Sequence, residues 1–192
     1  SDFYNGAFPS EYSNALSGIF DMQIRNGNNQ KYEHTFQLGI LGIDLASEGP
    51  ISRKHGSSYI FNYRFSTTSL ATGNDMNLKY QDLSFKLNFP TRKAGTFSIW
   101  GIGLIDRYKP EAIDRDEWET QGDRQSGNTA FDKAAGGLTH KYLINADTYI
   151  RSSLAATYSK DRTRADQMTE DDKLVHVGDI RNSKWDIVFN SY

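Results

Sequence analysis

Long stretches of strict alternation between apolar and polar residues are the feature that most limits how this chain can fold. In residues 83–89 every second residue is Leu or Phe, and the residues between them are Ser84, Lys86 and Asn88. Residues 59–65 repeat the pattern with four aromatic residues. A period of two places the apolar side chains on one face of a strand and the polar side chains on the other. The chain is therefore predicted to be all-β, with strands that have one apolar face.

The amino-acid composition favours strands and turns over helices. The chain of 192 residues contains 11 Tyr, 11 Phe, 3 Trp and 16 Gly, and its mean hydropathy is -0.66. Aromatic residues prefer strands, and glycines are frequent in turns. No apolar run approaches the roughly 18 residues that a transmembrane helix needs. A transmembrane strand needs only about 10 alternating residues, so a membrane protein built from strands is compatible with this composition.

Charge and residue content argue against several classes of function. The formal net charge of -2 and the pI near 6.1 argue against a nucleic-acid-binding protein, which normally has a basic stripe. The chain contains no Cys, which excludes disulfides and thiol nucleophiles. The four His lack metal-site spacing, and the calcium-loop-like start at Asp114-Arg-Asp116 lacks the central Gly and final Glu. We therefore predict no catalytic residue, no metal site, no cofactor and no enzymatic activity.

Seven long strands are predicted from the alternation. In the first, the apolar phase changes between Gly39 and Gly42, which predicts a bulge or bend within one continuous strand. From Pro50 onward the connections alternate between short and long, and the two later long ones, 109–127 and 160–182, are rich in charge. The predicted strands cover approximately residues 31–47, 57–69, 78–89, 96–108, 128–143, 148–159 and 184–192.

The lengths of the strands and connections favour a transmembrane barrel. The alternating stretches run for about 12 to 16 residues, whereas strands of globular proteins most often have roughly 5–6. Alternating short turns and long loops are typical of outer-membrane barrels. In that fold the polar face lines the lumen, where the predicted residues are Asn62, Arg64, Lys86 and Asn88. Aromatic residues near strand ends are candidates for interfacial girdles: Tyr59, Tyr80, Trp100, Tyr108, Tyr149, Tyr158 and Trp185.

A soluble β-sandwich is the alternative interpretation. It would bury the same apolar faces between two sheets and leave the polar faces in water. A secreted or surface-attached glycan-binding module of this kind would stay soluble and monomeric without detergent. Alternation alone is compatible with both environments, so the preference for a barrel depends on the lengths of the strands and connections.

Ligand contact, under the barrel hypothesis, is predicted in the long loops 111–127 and 160–182. The aromatic candidate is Trp118, because an indole ring offers a large flat contact surface. The charged candidates beside it are Glu117, Glu119 and Arg124. Solvated loop tips without any ligand are the competing interpretation of the same residues.

The N-terminal part of the chain carries a second kind of signal. It contains a Gly-x-Phe-Pro-x-x-Tyr stretch, a small-residue turn and a short strand of the Gly-hydrophobic-hydrophobic-Asp type. This segment resembles the end of the plug domain in TonB-dependent outer-membrane receptors. Residues 36–50 resemble the first barrel strand and turn in the Bacteroidetes type of that family. The matching plug residues are Gly6, Phe8, Pro9, Tyr12, Leu16, Ser17, Gly18, Ile19, Phe20 and Asp21.

This resemblance implies an organisation and a role. Residues 1–30 would be the C-terminal end of the plug domain with its linker, and 31–192 would be the N-terminal part of an antiparallel up-and-down transmembrane β-barrel. Such a barrel has roughly 22 strands, of which about seven would lie here. The implied function is import of a scarce nutrient (iron chelate, cobalamin or oligosaccharide) across the bacterial outer membrane.

The same resemblance implies the partners. They are outer-membrane lipid, the remaining barrel strands and the energy-transducing protein TonB, which such receptors contact through a segment upstream of the plug. A cooperating surface lipoprotein is a further candidate partner, and no nucleic acid is expected.

The first residues predict that the chain is part of something larger. It begins at Ser1-Asp2-Phe3, without Met, a basic region or the apolar region of an export signal. Seven strands do not close a barrel of this size, so the outer edges would need further strands. We expect a fragment or a processed piece of a longer protein.

Overall fold

The computed structural model describes residues 2–6, 8, 17–67, 76–110, 115–169, 171 and 173–192. Across these residues the protein is all-β, with one eight-stranded antiparallel sheet and a separate two-stranded sheet. The small sheet pairs β1 (Asp2–Tyr4) with β2 (Ile19–Asp21). The large sheet contains β3 (Glu33–Gly39), β4 (Gly42–Ser52), β5 (Ser57–Thr67), β6 (Met76–Pro90), β7 (Thr96–Pro110), β8 (Gln125–Leu143), β9 (Tyr149–Met168) and β10 (Leu174–Ser191).

The eight strands follow one another across the sheet in the order of the chain. Each strand is hydrogen-bonded antiparallel to the next, from β3 at one edge to β10 at the other. This up-and-down order confirms the predicted all-β antiparallel architecture. Three 3-10 turns lie in the connections, at Arg53–His55, Arg115–Glu117 and Gln121–Arg124. No helix among the described residues is long and apolar enough to span a membrane.

The predicted first strand, 31–47, is wrong because the chain reverses in its middle. Gly39 pairs directly with Gly42, so Ile40 and Leu41 form a two-residue turn between β3 and β4. Gly42 has a φ of 146°, a backbone conformation that residues other than glycine rarely adopt. The change of apolar phase therefore marks a hairpin and not a bulge, and the large sheet has eight strands where about seven were predicted.

The predicted long loop at 160–182 is also wrong. The structure continues β9 to Met168 and begins β10 at Leu174, with residues 169–173 between them. Charged residues occupy these strand ends, and Arg162 pairs directly with Arg181. The alternation of short and long connections consequently fails at its last step. The earlier connection at 68–75 lies outside the described residues, as do Pro9, Tyr12 and Leu16 of the plug-like motif.

The strand register defines two faces of the large sheet, because directly paired residues share a face. One face, named here the polar face, carries Asn62, Arg64, Asp82, Ser84 and Lys86. The opposite face is named the apolar face. Its apolar band consists of Phe36, Leu38, Ile43, Leu45, Tyr59, Phe61, Tyr63, Phe65, Leu83, Phe85, Leu87, Phe89, Phe97, Ile99, Ile105, Leu138, Leu154, Tyr158, Trp185, Ile187 and Phe189.

The girdle candidates divide between these two faces. Tyr59, Tyr158 and Trp185 lie on the apolar face, where the rings of Tyr158 and Trp185 pack with centroids 4.5 Å apart. The other four predicted candidates lie on the polar face, so they do not belong to a girdle on the apolar side: Tyr80, Trp100, Tyr108 and Tyr149. The prediction failed for these four because it used their distance from the strand ends and not their parity.

The described residues form no buried hydrophobic core. None of their hydrophobic side chains is fully buried, and large ones such as Leu83 and Ile187 are exposed. Almost all substantial contacts join neighbouring strands of the same sheet. The described part of the fold is thus a single layer, and its apolar face has no second layer packed against it.

Aromatic rings fill the space above the small residues in the middle of the sheet. A Cβ on Gly101 would meet the ring of Phe85 at 2.6 Å, and one on Gly137 would meet the ring of Trp100 at 3.1 Å. Phe85 lies on the apolar face and Trp100 on the polar face. The indole ring of Trp100 thus packs over Gly137, within the Ala-Ala-Gly-Gly stretch of β8 that has weak strand propensity.

Candidate functional site

A segment near the N-terminus lies across the polar face of the sheet. Lys86 of β6 donates a hydrogen bond from Nζ to the carbonyl oxygen of Ile24, over 2.7 Å. Both Nη atoms of Arg25 donate hydrogen bonds to the carboxylate of Glu48 in β4, at 2.5 and 2.6 Å. Since Lys86 and Glu48 both project from the polar face, residues 24–28 are fixed to that face.

Glu48 is the principal anchor of this segment. Its Oε2 also accepts a hydrogen bond from the backbone N–H of Asn28, over 2.8 Å. Its side chain is 12% exposed, so this charge is largely removed from water. The carboxylate raises the pKa of Arg25 above its ordinary value, chiefly through their hydrogen bond. Removing either partner would leave the other charge without its bidentate contact.

Close backbone approach explains Gly27. A Cβ at this position would collide with the carbonyl oxygen of Tyr59 in β5. Glycine therefore allows the segment to lie against the strand itself. The glycine of the Asn-Gly-Asn-Asn sequence at residues 26–29 thus enables the segment to pack on the sheet.

A groove lies on the same face and is named here the polar groove after that face, although its lining is mainly apolar. It has a volume of about 670 Å³ and is lined by residues from six consecutive strands, β5 to β10. Because a single groove is lined from six strands of one sheet, we infer that the polar face curves inward across them. Two ion pairs lie in the lining of the groove: Arg64 binds Asp82 at 2.8 Å, and Lys184 binds Asp186 at 2.9 Å.

The four residues predicted for a lumen lie on this concave face. Arg64 lines the groove, and its guanidinium also lies 5.3 Å from the ring of Tyr80. Lys86 binds the segment, and buried Asn88 accepts a hydrogen bond from Ser98 at 3.1 Å. Asn62 of β5 is directly opposite Ser84 of β6. The structure thus brings all four residues to one face, where Lys86 contacts the segment and Arg64 lines the groove.

Sequence reasoning missed the partners of these residues. Glu48, Arg25 and Asp82 were not singled out, although they form the ion pairs that organise the polar face. Asp82 is detectable once the register of β5 with β6 is known, because it is directly opposite Arg64. No sequence signal joins Arg25 to Glu48, since a coil segment has no register that would predict its partner.

The predicted ligand-contact loop folds around Trp118. The guanidinium carbon of Arg124 lies 5.1 Å from the indole centroid, and that of Arg115 lies 6.0 Å from it. Glu117 ends the 3-10 turn that precedes Trp118, and the side chains of Glu117 and Glu119 are exposed. Residues 111–114 of this loop lie outside the described residues.

Asp123 closes the loop beside Trp118. Its Oδ2 accepts hydrogen bonds from the backbone N–H groups of Glu119 and Thr120, at 2.9 and 2.6 Å, and from the hydroxyl of Thr120. The bond to the Thr120 backbone is the largest cause that lowers the pKa of Asp123 below its ordinary value. The loop therefore has an internal carboxylate clasp that holds its residues in a fixed turn.

The described part of the chain contains no cluster of candidate metal ligands. There, no three His, Asp or Glu side chains are grouped in a way that would hold a metal ion. Comparison of the chain with protein-family models, with curated proteins and with solved structures found no match.

Proposed function

We propose that this chain is part of a TonB-dependent outer-membrane receptor that imports a scarce nutrient across the bacterial outer membrane. The observation that supports this most directly is the position of the N-terminal segment on the polar face. A plug domain occupies the barrel lumen, so its last residues should contact the lumen wall. The Lys86–Ile24 and Arg25–Glu48 contacts join the plug-like segment to that wall.

The curvature of the sheet supports the same proposal. A closed barrel made from this sheet would enclose its concave face, which is the polar one, and turn its apolar face outward. Outer-membrane barrels have this arrangement, with a wet interior and an apolar belt outside. Ile150 lies on the same face of β9 as Leu154 and Tyr158. The apolar residues of this strand therefore extend from Ile150 to Tyr158, eight residue steps or about 26 Å along the strand. A tilt of about 40° reduces this to about 20 Å, close to the ~25 Å belt of such barrels.

The edges of the sheet would be completed by further strands. β3 and β10 each have one side without a strand partner among the described residues. In the proposed barrel of roughly 22 strands these edges pair with the remaining strands of the receptor. The plug would continue upstream of β2, and TonB would bind a segment before it.

Ligand specificity would belong to the loop that contains Trp118. This loop joins β7 to β8 at the same end of the sheet as the β3–β4 and β9–β10 connections. In the proposed orientation that end faces the outside of the cell. Iron chelate, cobalamin and oligosaccharide are the candidate ligand classes, and an indole ring flanked by guanidinium groups offers stacking to each of them.

Membrane fractionation and gel mobility test the proposal. The full protein should fractionate with outer membrane and migrate faster in a gel before heating than after, as closed barrels do. A protein that is soluble after the membranes are washed, with no mobility shift and no need for detergent, would instead identify the soluble β-sandwich.

Labelling of single cysteines tests which face is wet. The chain contains no Cys, so Asn62→Cys and Phe61→Cys introduce unique thiols on adjacent residues of opposite faces. In outer-membrane vesicles a water-soluble maleimide should label Asn62→Cys faster than Phe61→Cys. The opposite preference would reverse the proposed orientation.

A further inference from the structure

We propose that four arginines on the apolar face form a binding site for a phosphate group carried by a membrane lipid. Arg107, Arg162, Arg164 and Arg181, named here the arginine pocket, line a cavity of about 260 Å³ at the ends of β7, β9 and β10. All four project from the apolar face, opposite the face that carries the polar groove. The inference rests on the proposed membrane location.

Charge is the first argument for an anionic ligand. Arg162 and Arg181 are directly paired between β9 and β10, and like charges in this position repel each other. Asp132 holds Arg107 at 2.5 Å and Arg162 at 2.8 Å, while Asp166 holds Arg164 at 3.0 Å. Asp179 contacts Arg181 at 3.6 Å. Three carboxylates thus serve four guanidinium groups, which leaves one net positive charge among these seven side chains.

An unsatisfied donor is the second argument. Nε of Arg162 is buried and has no hydrogen-bond partner among the described residues. A buried donor without a partner costs about 1–3 kcal/mol, so a movement of the Arg162 side chain that brings Nε to an acceptor oxygen of a ligand would remove this cost. A phosphate has several acceptor oxygens and matches the fork of guanidinium donors.

The position of the arginine pocket along the strands indicates that the phosphate belongs to a membrane lipid. Arg162 follows Tyr158 by four residues and Arg181 precedes Trp185 by four, which is about 13 Å along each strand. Tyr158 and Trp185 pack together at the border of the apolar band, where aromatic residues mark a membrane interface. Lys160 lies between this border and the pocket on the same face. A site just beyond an interfacial aromatic pair lies at the level of lipid headgroups.

Lipid binding to the full protein in detergent tests the inference. Native mass spectrometry would measure the affinities for phosphatidic acid, phosphatidylcholine and inorganic phosphate. The double variant Arg164→Gln and Arg181→Gln leaves the Arg107–Asp132–Arg162 group intact. Each removed charge near a membrane surface should weaken binding about fivefold, so the affinity for phosphatidic acid should fall about 25-fold.

The control variant removes two lysines from the other face. Lys133→Gln and Lys184→Gln neutralise the same number of charges on β8 and β10, but both residues line the polar groove. Their affinity for phosphatidic acid should stay within about twofold of that of the unchanged protein. An equal loss in both double variants, or no loss in the arginine variant, would overturn the inference.

Two further outcomes separate the possible failures. Inorganic phosphate that competes as strongly as phosphatidic acid would show a free-anion site, and the lipid assignment would fall. If the protein needs no detergent and shows no heat-dependent mobility, the proposed function itself is contradicted. If the protein is heat-modifiable but its lipid binding does not depend on the arginines, only the lipid-binding proposal is contradicted.

Discussion

Individual side chains on the polar face connect the N-terminal segment to the sheet. Lys86 is the clearest case, because its ammonium group binds a backbone carbonyl of the segment and not another side chain. Glu48 accepts hydrogen bonds from two residues of the segment at once, Arg25 and Asn28. A few residues on one face of β4 and β6 therefore determine where residues 24–28 lie.

Replacing Lys86 with Met should loosen the segment. The carbonyl of Ile24 would lose a charge-assisted hydrogen bond worth about 1.5 kcal/mol, which corresponds to roughly a tenfold change in an equilibrium constant. Hydrogen exchange of the Asn28 amide, which is protected by Glu48, should accelerate by up to about tenfold. Lys79→Met is the matched control, because Lys79 lies on the same strand but on the apolar face. Equal acceleration in both variants would contradict the assigned contact.

Trp118 is the residue on which the ligand hypothesis depends. Trp118→Ala removes the ring that lies beside Arg115 and Arg124. Binding of ferric chelates, cobalamin and oligosaccharides would be measured at equal surface expression. The affinity for one class should fall about tenfold or more, as expected for loss of a stacked aromatic anchor. Unchanged affinity for a class that the parent protein binds would remove Trp118 from the contact residues.

The carboxylate clasp makes the same loop sensitive to acid. Hydrogen bonds lower the pKa of Asp123 in the folded loop, so its contribution to loop stability is complete above the unfolded pKa of about 3.9. That contribution is lost as the pH falls through the lower folded pKa. Trp118 fluorescence should report this opening below about pH 4.

Two variants serve as controls for the acid response. Asp123→Asn should give a loosened loop already at neutral pH, whereas Asp116→Asn should behave as the parent protein because the Asp116 side chain is exposed. A fluorescence transition that persists unchanged in Asp123→Asn would assign it to another group.

The β3–β4 hairpin illustrates how single positions determine an element. Gly39 and Gly42 face each other across the two-residue turn, yet their environments differ. Gly42 has a positive φ, and a Cβ on it would collide with the carbonyl oxygen of Phe65. A Cβ on Gly39 would meet nothing within 4 Å. The hairpin therefore requires glycine at only one of the two positions.

Gly42→Ala should destabilise the hairpin and Gly39→Ala should not. The cost of the strained backbone at Gly42 is about 1–3 kcal/mol, before any displacement of β5. Hydrogen exchange of the amides of β3 should accelerate in Gly42→Ala by about tenfold or more. Equal protection of β3 in the two variants would show that the turn is not strained.

At the scale of the whole molecule, the strands become longer from one edge of the sheet towards the other. β3 has 7 residues and β9 has 20. The additional residues of β7 to β10 extend beyond the apolar band and carry charges such as those of Arg107, Arg162 and Arg181. In the proposed membrane orientation these strand ends would pass through the level of the lipid headgroups and support the extracellular loops.

A charged side chain introduced on the apolar face should destabilise the protein in a membrane, whereas the same side chain on the polar face should not. Leu83 lies in the middle of the apolar band and is 42% exposed, while its neighbour Ser84 faces the groove. In lipid vesicles Leu83→Lys should lower the free energy of unfolding by about 2–4 kcal/mol, the cost of a lysine near the bilayer midplane. Ser84→Lys should change it by less than about 1 kcal/mol. Similar costs for both variants would contradict the lipid-facing assignment.

Alternation in the sequence was sufficient to predict strands, faces and antiparallel architecture, because period-2 burial is a local property of each strand. It placed Asn62, Arg64, Lys86 and Asn88 on one face without knowledge of their neighbours. The reversal at Ile40 and Leu41 was missed, since a phase change fits a bulge as well as a hairpin. The strands through 160–182 were missed because their charges resemble those of a loop.

Only the tertiary structure decided which distant residues meet. The bond from Lys86 to Ile24 spans 62 positions, and the contact of Arg25 with Glu48 joins a coil to a strand. The arginine pocket likewise depends on the registers of β7 to β10, which bring together residues that are unremarkable one by one. Local periodicity determines which way a side chain points, whereas register and curvature determine what it meets.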